Sequence, residues 1–187
     1  MADVVCELIV SLDGMARGAR SPGYYGYAGP EFTGWIRSNA AAPHRMLLGR
    51  RTYEMLNGLP EDARDDGWRT MVATPGWLFS RTLETAQWPA VQVVHDDAVA
   101  FVRDMKARAG PELRTLGSVS LVQQLLTAGL VDRLKLVVCP LILPETGTEP
   151  LFRQVPDVGF ELVSSRTLDG RVLLLEYGPA GPPPYAA

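Results

Sequence analysis

The chain has 187 residues, 47% of them apolar and 21% charged, with a formal net charge of −3. That is an ordinary globular composition, long enough for one domain with a substantial core. It excludes the basic footprint of a nucleic-acid binder, and no apolar run approaches the ~20 residues that span a bilayer.

The N-terminus MADVVCELIV lacks the basic-then-apolar layout of a signal peptide, so a reducing cytoplasmic setting is expected. Cys6 and Cys139 lie in apolar runs without a C-x-x-C spacing and read as buried thiols. Two histidines, His44 and His95, are too few for a metal cluster, so no metal is expected.

Val4–Val10 is nearly continuous in apolar, β-branched residues, the pattern of a strand buried on both faces of a sheet. Asp13-Gly14 ends it in a turn. Met15–Pro30 follows, rich in glycine and carrying Tyr24, Tyr25 and Tyr27, with no period. Its aromatics point to a functional lid rather than a disordered stretch. Glu31–Asn39 reads as a helix with Phe32, Trp35 and Ile36 on one face. Met46–Leu48 is a short strand that runs through Gly49 into a helix start carrying Arg50 and Arg51. Cations are disfavoured at that end of a helix dipole unless an anion joins them.

Asp62–Ala73 reads as a helix or an irregular, solvated segment. Trp77–Phe79 is a strand that exits into Ser80-Arg81-Thr82, and Val91–Val94 is another strand. Asp97–Arg108 reads as a helix with Asp97 at its N-cap. Leu113–Leu116, Gly117-Ser118, an amphipathic helix ended by Gly129, and Leu134–Val138 together form one βαβ unit. A proline-rich connection, Pro140–Pro150, leads on to Phe160–Arg166 and Arg171–Tyr177, which flank the hairpin signal Asp169-Gly170. One domain, residues 1–178, is expected, with residues 179–187 a proline-rich tail.

Alternating strands and helices that end in a hairpin predict an α/β fold. Its sheet is mostly parallel, with helices on both faces and antiparallel strands at one edge. Ligands of such sheets bind outside the carboxyl ends of the strands. Three strands exit there into phosphate-friendly chemistry: Gly49–Thr52, Ser80–Thr82 and Gly117–Ser120. Separated anion points suit a nicotinamide dinucleotide with a 2′-phosphate. G-x-G-x-x-G and G-x-x-x-x-G-K-[ST] are both absent.

The segments LIVSLDG, MLLGRRTYE, LFSRTL and LGSVSLVQQLLTAGLVDRLKL, with the closing hairpin, resemble the dihydrofolate reductase-like family. They are similar in particular to bacterial stand-alone relatives of the reductase domain of the riboflavin-biosynthesis bifunctional deaminase/reductase. The resemblance spans about Val4 to Tyr177. It implies a mixed sheet of about eight strands, a homodimer and NADPH as cofactor, with riboflavin- or folate-type chemistry on a small planar heterocycle. By resemblance, Gly49, Arg50, Arg51 and Thr52 hold phosphates, and Ser80 and Arg81, beside Thr82, hold the 2′-phosphate end. Gly117, Ser118, Val119, Ser120 and Leu121 form the turn under the pyrophosphate. Two departures stand out. The connection after Pro140 is longer than the usual glycine-rich run, and Gly76 stands where relatives commonly carry a lysine.

Reduction also needs a proton donor, which should be an acid whose pKa is raised by burial. Asp13 and Glu31 are the candidates; each has an ordinary alternative, as a turn residue and as a helix N-terminal glutamate respectively. Tyr24, Tyr25, Tyr27 and Trp35 are candidates to stack on the substrate. The alternative reading is a non-catalytic NADPH-binding or sensor protein of the same fold.

Overall fold

The computed structural model describes residues 1–186. The apolar run Val4–Ser11 forms β1, with a parallel partner on each side. The other strands are β2 (His44–Gly49), β3 (Gly76–Phe79), β4 (Val91–Val94), β5 (Glu112–Thr115), β6 (Arg133–Cys139), β7 (Gly159–Leu168) and β8 (Val172–Gly181). They make one eight-stranded sheet in the order β4-β3-β2-β5-β1-β6-β8-β7. Every pairing from β4 to β6 is parallel, and β8 runs antiparallel to β6 and β7. This is the mixed, mostly parallel sheet that the sequence predicts.

Among the described residues five α-helices cover it: α1 (Pro30–Ala41), α2 (Arg50–Asn57), α3 (Asp66–Ala73), α4 (Ala98–Ala107) and α5 (Val119–Thr127). Strand alternation decides which helix each residue meets. Val4, Cys6, Leu8 and Val10 pack on one side with Val102 of α4 and Leu121, Val122 and Leu125 of α5. Ile9 points the other way, towards Phe32 of α1, and Met46 and Leu48 meet Tyr53 and Leu56 of α2 on that same side. Each fully buried valine or leucine stabilises the fold by about 1.5–3 kcal/mol.

Two expectations need correction. The tail boundary at residue 178 is too early. β8 continues to Gly181, pairing Pro179 and Gly181 with β7, and Tyr185 bonds Asp157. The Met15–Pro30 segment is not a free lid along its whole length. Its first part is zipped to the Pro140–Pro150 connection by Ala16 N to Glu149 O, Thr148 N to Arg17 O and Ala19 N to Thr146 O, all 2.8–3.0 Å. Bridges Met15–Pro150 and Gly18–Gly147 complete this irregular antiparallel ribbon. The backbone groups of two long connections thereby satisfy each other, as partly buried peptide groups must.

Candidate functional site

The sheet order places β2 between β3 and β5. Gly49 lies opposite Phe79, and Leu47 opposite Thr115, so the three anion-friendly exits are neighbours on the carboxyl edge. Two of them are joined directly. Gly49 N donates to Ser118 Oγ (2.7 Å), which in turn donates to Thr52 Oγ1 (3.0 Å). Gly117 and Ser118 both take left-handed backbone, φ +56° and +66°. A Cβ on Gly117 would lie 3.3 Å from Thr52, and one on Gly49 would lie 2.9 Å from Ser118 Oγ. Glycines there let the N-termini of α2 and α5 sit side by side.

These bonds divide the twelve predicted cofactor residues. Gly49, Thr52, Gly117 and Ser118 build the junction, and the Gly49 N–H and Ser118 hydroxyl are already paired within it. Ser80 is buried, and its hydroxyl accepts Leu83 N (3.0 Å) and Thr82 N (3.3 Å), so it shapes its own turn. Leu121 belongs to the core, and its N–H donates to Ser118 O (2.9 Å). This removes it from the predicted ligand set, because the helix consumes its donor. Among the described residues nothing accepts from the N–H groups of Val119 and Ser120 in the first turn of α5. Arg50 spans two exits, donating to Thr82 Oγ1 (3.2 Å) and facing Glu54 (3.7 Å). Arg51 and Arg81 are exposed and have neither a hydrogen bond nor an ion pair among the described residues.

The substrate side differs more from expectation. Asp13 is fully exposed. It accepts from Ser11 Oγ (2.5 Å) and Leu143 N (2.9 Å), and the Ser11 bond chiefly holds its carboxyl below the usual range. A proton donor needs the opposite shift, so Asp13 is a clasp between two loops. The Glu31 carboxylate accepts from Asp169 N, while both Asp169 oxygens accept from the start of α1, Glu31 N (2.9 Å) and Phe32 N (3.0 Å). Asp169 caps α1 from the hairpin turn, and Glu31 is tied to that cap rather than free for chemistry. A Cβ on Gly29 would fall 2.3 Å from the Asp169 carboxyl carbon, which accounts for the glycine.

The tyrosines mostly fasten the loop. Tyr25 Oη donates to Met15 O (2.6 Å), and Tyr27 Oη donates to Pro140 O (3.3 Å) beneath the Arg171 guanidinium. Trp35 packs beside Phe32, and its ring belongs to the α1 core. The Tyr24 ring lies 5.4 Å from that of Phe32 at a tilt of 58°, and its hydroxyl has no hydrogen-bond partner among the described residues. Desolvation raises that phenol's pKa, and the carboxylates of Asp65 and Glu7 add to the rise.

A family model of the RibD C-terminal domain matches residues 2–174. The chain belongs to the RibD C-terminal domain family. A Bacillus subtilis (strain 168) protein described as uncharacterized protein YyaP is 24% identical over 182 residues, 93% of each chain. Three solved structures share the fold. A putative riboflavin biosynthesis protein from Shewanella sp. PV-4 has TM-score 0.70 at 20% identity, covering 96% of this chain and 99% of that one. A pyrimidine reductase-like protein of Corynebacterium diphtheriae has TM-score 0.65 at 16%, covering 95% and 92%. The diaminohydroxyphosphoribosylaminopyrimidine deaminase/5-amino-6-(5-phosphoribosylamino)uracil reductase of Thermotoga maritima has TM-score 0.66 at 15%. There the match spans 96% of this chain and 57% of the longer protein. Membership in the RibD C-terminal domain family points to a reductase of riboflavin-biosynthesis type.

One residue of this RibD C-terminal domain was passed over in the sequence. Glu7 is the only charge in the strand VVCELIVS, and strand alternation puts it on the same sheet face as Ile9. Asn39 Nδ2 donates to its Oε2 (2.7 Å). Arg114, itself buried, donates to Asn39 O and Glu112 (both 2.5 Å). Burial pushes the Glu7 carboxyl up from its ordinary value, against the Asn39 bond and the charges of Arg114 and Lys135. The available signal was a lone acid inside an apolar strand, where an ionisable side chain carries a desolvation cost.

Proposed function

We propose that this chain is an NADPH-dependent reductase of a small, planar heterocyclic acceptor of the riboflavin or folate type. The observation that carries the reading is the adjacency of three strand exits with Arg51 and Arg81 left unpaired beside them. The residues present fit a dinucleotide with several phosphates. Val119 and Ser120 offer free N–H donors at the end of a helix, and Arg51 and Arg81 offer forked cations without an internal partner. Arg81, at the exit of β3, takes the 2′-phosphate; Arg51 takes a phosphate at the exit of β2. When bound, the cofactor supplies a hydride at the carboxyl edge of β1. The Tyr24 ring covers the acceptor. We assign a homodimer contact to β7, an outer strand whose residues Glu161–Thr167 are all exposed; light scattering at the mass of a monomer would remove that assignment.

The test is titration of NADPH and NADH against the fluorescence of the four tryptophans. NADPH should bind more tightly. Because Arg81 has no protein partner, Arg81→Ala should leave Tm unchanged. It should weaken NADPH by roughly 10–100-fold, the loss of one charged hydrogen-bonding group, and spare NADH. Arg51→Ala should weaken both dinucleotides. If neither dinucleotide binds below millimolar, the reductase reading fails. The second reading, a non-catalytic NADPH-binding sensor, is favoured by one observation: neither Asp13 nor Glu31 is set up to deliver a proton.

A further inference from the structure

We propose that His95 is a second cationic arm of the 2′-phosphate site beside Arg81, and that its protonation couples the choice of NADPH over NADH to pH. The inference rests on the dinucleotide reading above and deepens it at the adenosine end, with a residue from a different strand exit.

β3 and β4 are parallel neighbours with Phe79 opposite Val94, and Ser80 N donates to Val94 O (3.1 Å). The two strands therefore leave the sheet side by side at its carboxyl edge, and His95 is the first residue after β4. Its Nδ1 donates to Ser80 O (2.9 Å). A carbonyl oxygen only accepts, so Nδ1 carries the proton and the lone pair of the neutral ring lies on Nε2. That carbonyl belongs to the peptide unit leading into Arg81, so the imidazole docks on the backbone of the residue assigned to the 2′-phosphate. Nε2 has no hydrogen-bond partner among the described residues, and His95 is exposed. Ser80 is committed elsewhere, because its hydroxyl accepts from Thr82 N and Leu83 N.

The charges around the ring make the second arm matter. A phosphate monoester carries about −1.5 to −2 near neutrality, and Arg81 supplies one positive charge. Arg50 of α2 is engaged by Thr82 Oγ1 (3.2 Å) and faces Glu54 (3.7 Å). The other charged groups are Glu84 on the turn after β3, and Asp96 and Asp97 beside His95. Asp97 accepts Ala100 N (2.8 Å) and caps α4, whose first turn, Ala98–Phe101, carries no charge. Among the described residues neither Glu84 nor Asp96 pairs with Arg81 or His95. Protonation of Nε2 makes it a donor without breaking the Ser80 bond, and it adds the second positive charge that a dianion needs. By reciprocity, a bound 2′-phosphate draws a proton onto the ring. A dinucleotide without that phosphate presents nothing there, so its affinity is indifferent to the charge on His95.

The experiment compares wild type with His95→Asn. The asparagine amide nitrogen takes the place of Nδ1 and keeps the bond to Ser80 O, but nothing replaces Nε2. Adenosine 2′,5′-bisphosphate, which carries the 2′-phosphate, and adenosine 5′-monophosphate, which lacks it, are titrated calorimetrically from pH 5.5 to pH 8.5. Titration of the ligand's own phosphates is common to both proteins and cancels in the ratio of their affinities. For the bisphosphate that ratio should favour wild type by roughly tenfold at pH 5.5, as for one charged hydrogen bond, and shrink to within about twofold at pH 8.5. For the monophosphate it should stay near one throughout. Wild type should also take up more protons than His95→Asn on binding the bisphosphate near pH 7, read from the heats in two buffers of different ionisation enthalpy. A bisphosphate ratio that is flat across pH, or a loss shared equally by the monophosphate, would overturn the assignment and leave His95 as a brace for the Ser80–Arg81 backbone. If wild type binds neither the bisphosphate nor NADPH, the dinucleotide reading falls and takes this inference with it.

Discussion

Glu31 and Asp169 offer a sharp separation between a structural and a catalytic carboxylate. Asp169 accepts two N–H donors from the first turn of α1 across 138 and 137 residues of sequence, and Glu31 returns one bond to Asp169 N. Losing a cap costs about 1 kcal/mol. Asp169 also sits at φ 49°, where alanine is worse by roughly 1 kcal/mol. Asp169→Ala should therefore cost about 2 kcal/mol, a fall in Tm of roughly 4–8 °C for a chain of this length. Glu31→Ala removes one exposed bond and should cost about 0.5–1 kcal/mol. The double variant should cost close to the sum of the two, because each substitution removes a different bond: Asp169→Ala keeps the backbone N–H that donates to Glu31, and Glu31→Ala keeps the N–H that donates to Asp169. Thermal melts of the four proteins measure this cycle, and NADPH oxidation with pterin, aminopyrimidine and quinone acceptors measures turnover. Glu31→Gln should keep kcat within about twofold, since an amide oxygen still accepts the Asp169 N–H. A hundredfold loss of kcat in Glu31→Gln at unchanged Tm would refute the reasoning and return Glu31 to the chemistry.

Other outcomes follow from the same coordinates. Gly76→Ala should destabilise by at least 1–3 kcal/mol, because its Cβ would lie 2.3 Å from Met46 O, read as a drop in denaturation midpoint. Cys6 and Cys139 are fully buried, with burial pushing their thiols up to about 12 and about 11, so both should react with a disulfide reagent only after unfolding. Glu7→Gln should be more stable than wild type above pH 4.5. A raised folded-state pKa means that wild-type stability is full below the unfolded value of 4.5 and is lost as pH rises towards the folded one. Melts at pH 4 and pH 8 test the sign, and an equal Tm difference at both would contradict it.

Most elements were legible in the chain because their signals are local. The run at Val4, the Asp-Gly turn at Asp169 and the Leu121–Leu126 stripe each declare an element within ten residues, and each lies where expected. The three anion points were legible one at a time, and the strand order then made them neighbours. What was hidden depends on partners far apart in sequence. The clasp of Asp13 with Leu143 and the cap of α1 by Asp169 join segments 130 or more residues apart, and neither loop carries a periodic pattern. Glu7 was hidden differently: its strand was so apolar that one acid did not alter the pattern.

The ribbon between Met15–Ala19 and Thr146–Leu151 bears on how this chain can change over time. Each loop is the other's hydrogen-bonding template. Lengthening or shortening one strands the peptide groups of the other, so the two must drift together. A graft that replaces only the Pro140–Pro150 connection with a relative's shorter turn would unzip the segment after β1. Transplanting both loops as a pair is the exchange that the architecture permits.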